Sequence, residues 1–195
     1  PNQGRPKARQ TGANCASGEW LLFLNSSVVV EKNIFYEYLQ IIQKNPSIIA
    51  LAGKIKYTSK ESMFEKYLNN KKRGINQYSN EEKINFQHLL FGNMAINKKV
   101  FQDVSFNFQL NHYGGEELDF AYRLYKKYPN KTLAAKKAIV TRSNHPIFKQ
   151  HCKRMLEFGN TNFLLLNRSL QKKIIRYPLF LSVFFMFKIF INCLY

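Results

Sequence analysis

Short apolar runs alternating with stretches of helical spacing constrain this chain most. Trp20 to Leu24 (WLLFL) is apolar at every position and bounded by polar residues. Such a run suits a strand buried on both faces, as in a parallel sheet. Asn25-Ser26-Ser27 follow at its carboxyl end. Glu31 to Lys44 then carries Ile34, Phe35, Tyr38, Leu39 and Ile42 at helical spacing, and Pro46 stops it. Ser47 to Tyr57 reads as a second strand, Glu61 to Asn69 as a helix, and Asn70 to Lys83 as a polar, basic loop. His88 to Ile96 is apolar and strand-like, and Lys98 to Val104 makes a short helix. Gly114-Gly115 open a helix from Glu116 to about Lys127. In it Leu118, Ala121, Leu124 and Tyr125 share one face, and Asp119 pairs with Arg123 at i,i+4. Thr132 to Thr141 is a strand, and Pro146 to about Leu170 a long helix. A further short helix, Lys7 to Gly18, leads into the first strand. Strands alternating with helices predict an α/β sheet, in which ligands sit at the carboxyl ends of strands. That points at Asn25 to Ser27.

Thirty Lys and Arg against twelve Asp and Glu give the 195-residue chain a net charge of +18. A surface this basic suits polyanions: nucleic acid, phosphorylated small molecules or anionic lipid headgroups. A general over-use of Lys in the sequence accounts for the charge equally well. The cations are spread along the whole chain and form no recognised nucleic-acid motif, so nucleic acid is not the predicted partner. Cys15, Cys152 and Cys193 are odd in number and far apart. They predict neither a disulfide framework nor a zinc site, and favour a reducing compartment. Pro1 to Thr11 is polar and basic, so no signal peptide is predicted. Pro178 to Tyr195 is almost entirely apolar, broken by Ser182, Lys188 and Asn192. As a helix it reaches about 27 Å, slightly short of a ~30 Å bilayer core. With Lys172, Lys173 and Arg176 before it, this tail predicts interfacial or partial membrane insertion. The alternatives are a buried core helix or the start of a longer span.

Three stretches carry a resemblance. The first runs from Gly4-Arg5-Pro6-Lys7-Ala8-Arg9-Gln10-Thr11-Gly12 through Ala16-Ser17-Gly18-Glu19 and the apolar strand to Asn25-Ser26-Ser27. It is similar to the ARN-x-G helix, apolar strand and DxD-like end of family 2 glycosyltransferases of the GT-A fold. The second is Leu90-Phe91-Gly92-Asn93-Met94-Ala95-Ile96, similar to the acceptor-side strand. The third, Tyr113-Gly114-Gly115-Glu116-Glu117-Leu118-Asp119, looks like the G-G-E-D-x-D segment. The resemblance implies a Rossmann-like mixed sheet flanked by helices over residues 1–145. A helical extension over 146–177 and the apolar segment 178–195 follow. The family's opening βαβ unit has no counterpart, which predicts an N-terminally shortened chain. Asn25-Ser26-Ser27 also lacks both DxD carboxylates, so the implied divalent cation, Mg²⁺ or Mn²⁺, would be held more weakly by neutral oxygens.

The resemblance places Glu117 as the base that takes the acceptor hydroxyl proton, with Glu116 as second choice. Both would also complement a helix dipole. It places Arg9 beside the donor's diphosphate, where its fork suits phosphate, and Asn25 and Ser27 against donor or metal. It places Asn93, Gly114 and Gly115 on the acceptor side, and His145 as a third metal ligand. The function implied is an inverting transfer from a nucleotide-sugar donor to a glycan or lipid-linked acceptor. The setting implied is cell-surface polysaccharide synthesis at the cytoplasmic face of the membrane, next to its anionic surface. The rivals are a non-catalytic relative that lost its chemistry with the DxD carboxylates, and a basic nucleic-acid-binding protein.

Overall fold

The structure is a computed structural model that describes residues 4–143 and 145–175. The chain divides into two compact units, Pro1–Leu165 and Leu166–Tyr195. In the first, α1 (Gly4–Cys15) leads into β1 (Trp20–Leu24), β2 (Val29–Val30), α2 (Ile34–Lys44), β3 (Ala50–Tyr57) and α3 (Ser62–Leu68). Then follow β4 (Asn93–Asn97), α4 (Lys98–Val104), α5 (Glu116–Lys127), β5 (Thr132–Arg142), α6 (Phe148–Asn160) and α7 (Asn162–Leu165). In the second unit the described residues form α8 (Arg168–Ile174). The apolar segment 178–195 lies outside the described residues. Among those described, no helix is long and apolar enough to cross a membrane.

The sheet order is β1-β4-β3-β5-β2. Among the described residues only β3 and β5 run parallel, and the other strand pairings are antiparallel. The mixed sheet is therefore as expected, but the parallel setting of Trp20 to Leu24 is not. Among the described residues β1 is an edge strand paired antiparallel to β4, and only its Leu21 is buried. An apolar run reports that both faces are covered but not how many neighbours flank the strand.

Both faces are indeed covered. Ile34, Tyr38 and Ile41 of α2 pack with Leu51, Leu133, Ala135 and Val140, and Trp20, Leu22 and Leu24 join them. On β1, Phe23 alternates with these and enters a cluster of rings with Phe91, Phe101, Phe106 and Phe120. Its centroid lies 4.9 Å from that of Phe91 and 5.1 Å from that of Phe101. Phe91, Phe101 and Phe120 are fully buried, each contributing roughly 1.5–3 kcal/mol of transfer free energy. This cluster seats α4 and α5 against the sheet.

Two further expectations are corrected. The strand expected over His88 to Ile96 exists only from Asn93. Phe86–His88 is a 3-10 turn, and Leu89 and Phe91 are buried in a loop rather than in a ladder. The long helix expected from Pro146 to Leu170 is three helices. Thr161 turns its hydroxyl back to the Glu157 carbonyl (2.7 Å), Asn162 is drawn out of helical register by bonds to another loop, and Asn167 caps α8 by accepting from Ser169 N–H.

Candidate functional site

α5 begins where the backbone takes two consecutive left-handed residues, Gly114 (φ +80°) and Gly115 (φ +86°). Residues with a Cβ rarely adopt that conformation. The turn aims the first helical residues, Glu116 and Glu117, toward α1. Arg9 of α1 answers them: one guanidinium nitrogen lies 2.5 Å from Glu117 Oε1 and another 3.5 Å from Glu116 Oε1. The second Glu117 oxygen accepts from Phe91 N–H at 3.1 Å. The Arg9 guanidinium also lies over the rings of Phe91 (5.0 Å) and Phe106 (6.0 Å), so its orientation is fixed on all sides. Arg5, one turn earlier, reaches Glu116 Oε1 at 3.3 Å and covers Tyr113 at 4.8 Å.

The two glutamates differ in environment. Glu116 is 2% exposed, and neither of its oxygens has a hydrogen-bond partner. Burial, and then the charge of Glu117, push its carboxyl above the usual carboxylate range, while Arg5 and Arg9 oppose the shift. Glu117 is 18% exposed at its side chain, with both oxygens bonded. It is the one a bound molecule can touch.

Asn25 closes β1, its N–H donating to Gly92 O (3.2 Å). Ser26 and Ser27 turn outward, exposed, before Val29 pairs with Thr141 at the far side of the sheet. The segment therefore crosses the carboxyl ends of β3 and β5, where Tyr57 and Arg142 pair. Past the Tyr57–Arg142 pair is a cavity of about 540 Å³ lined by Thr58, Ser59, Lys60, Ser143, His145 and Arg154 among others. Among the described residues no carboxylate lines it. His145 sits edge-on to Tyr57 (5.0 Å), with Nδ1 2.9 Å from the Pro146 carbonyl. That contact fixes Nδ1 as the donor and leaves Nε2 as the acceptor. Burial first, and more weakly Arg142, His151 and Arg154, lower its pKa against the opposing effect of the Pro146 bond.

These groups do not fit a divalent cation. Asn25 and Ser27 offer neutral oxygens, His145 a single imidazole, and among the described residues no three His, Cys, Asp or Glu side chains gather. Cys15 and Cys152 are free and exposed.

The acceptor-side residues have structural neighbours. Asn93 is 1% exposed: its Oδ1 accepts from Tyr38 OH (2.8 Å), and its Nδ2 donates to Lys54 O (3.0 Å) and Ala138 O (2.9 Å). With no accessible polar atom, it acts on a ligand only by holding strands. The space over Gly114 and Gly115, expected to be open for an acceptor, is filled by Phe158 of α6. A Cβ on Gly115 would lie 2.7 Å from that ring. Asn162, fully buried, bonds Gly114 O (2.6 Å) and the His112 backbone. Sequence reasoning missed Phe158, Asn162 and Arg154, whose guanidinium lies over the Tyr113 ring at 5.4 Å. Nothing in the pattern of a helix marks them. Asp119 is structural as expected: it accepts from Arg123 at 2.9 Å, and Arg123 also donates to the carbonyls of Val104 and Ser105.

Residues 1–105, over half of the chain, match Glycosyl transferase family 2. The chain belongs to this family. No curated protein matches the sequence. Among solved structures the fold is similar to S. aureus TarS 1-349 in complex with UDP. There the identity is 16%, the TM-score 0.57, and the match covers 90% of this chain and 52% of that one. The same protein in complex with UDP-GlcNAc gives 16% identity and a TM-score of 0.54, covering 89% and 51%. GalNAc-T7 with UDP, GalNAc and Mn²⁺ gives 16% and 0.53, covering 74% and 31%. The chain thus spans about half the length of TarS 1-349. The shared architecture is the GT-A fold: a mixed sheet with flanking helices. Within this family 2 domain, Arg9, Asn25, Ser27 and Asn93 fall inside the matched stretch. Glu116, Glu117 and His145 lie beyond it.

Proposed function

We propose that this family 2 domain transfers a sugar with inversion from a nucleotide-sugar donor to a glycan or lipid-linked acceptor, using Glu117 as general base. The observation that carries the reading is the Glu117 carboxylate, held by Arg9 and Phe91 N–H while part of it stays open to solvent. The acceptor hydroxyl oxygen attacks the anomeric carbon as the bond from that carbon to the diphosphate oxygen breaks. The bonding pair leaves with the nucleoside diphosphate, and the hydroxyl proton passes to Glu117. Glu116 keeps Arg5 and Arg9 in place from below. TarS was crystallised with UDP and UDP-GlcNAc, and GalNAc-T7 with UDP, GalNAc and Mn²⁺; a donor of that class suits the cavity past the ends of β3 and β5. There Lys60 and Arg154, with the Thr58, Ser59 and Ser143 hydroxyls, offset the diphosphate charge that a metal ion offsets elsewhere. The basic charge and the apolar sequence 178–195 support action at the cytoplasmic face of a membrane, in cell-surface polysaccharide synthesis.

A panel of UDP-, GDP- and dTDP-sugars, assayed for transfer or hydrolysis with Mn²⁺ or with chelator, tests this reading. Turnover that persists in chelator supports the cationic cavity. Turnover only with Mn²⁺ would mean that an ion binds through other ligands. The absence of carboxylates at Asn25-Ser26-Ser27 favours one rival, a non-catalytic relative. Neither donor binding nor turnover across the panel would establish it.

A further inference from the structure

α6 turns its apolar side away from the protein. At 100° per residue, His151, Arg154 and Phe158 share the side that meets the domain: His151 against Phe64, Arg154 over Tyr113, and Phe158 over the Gly114-Gly115 turn. Phe148, Cys152, Met155 and Leu156 fall within an arc of about 100° on another side. That arc is in solvent: Phe148 is 55%, Met155 43% and Leu156 65% exposed, and Cys152 is exposed too. None of the 13 residues of α6 is buried. Lys149 and Lys153, both exposed, border the arc.

α3 continues the surface. Its Met63 is 76% and its Tyr67 51% exposed, and the Phe64 ring meets that of Phe148 at 5.5 Å. A groove lined by Glu61, Met63, Phe64, Tyr67 and Phe148 joins the two helices. The Glu61 carboxylate is occupied by Phe148 N–H (2.7 Å). An apolar arc of Phe, Met and Leu edged by lysines, on a chain of net charge +18, is complementary to a layer of apolar chains beneath anionic headgroups.

We propose that α6 and α3 form a membrane-docking face. α6 lies along an anionic bilayer, with Phe148, Cys152, Met155, Leu156 and Met63 at the acyl boundary and Lys149 and Lys153 among lipid phosphates. This deepens the membrane association proposed above by locating it on the folded domain, independently of residues 178–195. Because the inner side of the same helix bears on the Gly114-Gly115 turn, the docked domain would hold its glutamates beside the bilayer surface. That consequence rests on the transferase reading; the docking itself does not.

Cys152 gives a probe inside the arc. The full chain carrying Cys15→Ser and Cys193→Ser, labelled at Cys152 with an environment-sensitive fluorophore, is mixed with vesicles of phosphatidylcholine, alone or with phosphatidylglycerol. The expected result is a blue shift and a several-fold rise in emission with the anionic vesicles, quenched by acyl-chain spin labels. Adding Leu156→Glu and Met155→Glu, which change exposed residues and leave the circular dichroism unchanged, should abolish the response. A label that stays in water while the chain co-sediments with vesicles would overturn the proposal and place the anchor elsewhere. An equal response to neutral vesicles would overturn the anionic assignment. A shift without lipid that grows with protein concentration would make the face a contact between copies.

Discussion

Glu116 and Glu117 are adjacent, yet packing gives them different chemistry. Glu116 is buried without a hydrogen bond, and its pKa is raised above the ordinary 4.5. For an acid so shifted, the stability it contributes is fully present below the unfolded value and is lost as pH rises through the folded one. Glu116→Gln should therefore flatten the fall in melting temperature on going from about pH 4 to neutrality. An unchanged pH profile would show that Arg5 and Arg9 compensate its charge completely. Gly115 is a second test. Gly115→Ala forces a side chain into φ +86° and against the Phe158 ring, at a cost of about 1–3 kcal/mol in chemical denaturation. The cost should shrink when Phe158 is also Ala. Arg9 and Glu117 were legible as separate site residues, each from its own motif. Their ion pair across 108 positions was not, because no local spacing encodes a contact of that range. Phe158 and Asn162 were hidden for the same reason.

At the scale of elements, the register of β3 and β5 shows what Asn93 does. Ala50 to Gly53 face Thr132 to Ala135, but Lys54 already faces Ile139. The slack in β5, Lys136 to Ala138, bulges out, and Asn93 from β4 bonds Lys54 O and Ala138 O across the break. Tyr38 of α2 completes the cluster through its buried hydroxyl, whose pKa is raised by that burial. Gly53 is needed because a Cβ there would run into Asn93 Nδ2 and the Tyr38 hydroxyl. Asn93→Ala strands two buried polar groups, the Tyr38 hydroxyl and Ala138 O, and the part-buried Lys54 O; each buried one costs roughly 1–3 kcal/mol. We expect a sharp loss of stability in urea melts; a loss below ~1 kcal/mol would show that water replaces the amide. The helices α2 to α5 were readable within a few residues because their apolar period is strong. The loop at Leu89 to Gly92 was not, since burial there comes from the aromatic cluster rather than from a ladder. The breaks after Asn160 and Leu165 depend on side-chain bonds that a periodicity does not register.

At the scale of the whole domain, the apolar segments identified the layers, and three motifs in order identified the family. The match over residues 1–105 agrees with that family. Sheet order and strand direction were beyond the sequence, because an apolar run looks alike in an edge and a central strand. Separated segments make up the site: α1 brings Arg9, the turn before α5 brings Glu117, and the residues after β3 and β5 line the cationic cavity. The central claim is that Glu117 takes the acceptor's proton there. It is tested most directly by measuring nucleotide-sugar binding and turnover separately in Glu117→Gln. The account predicts that turnover falls by about 10²-fold or more while the donor dissociation constant changes little. Turnover close to that of the unaltered protein would contradict it.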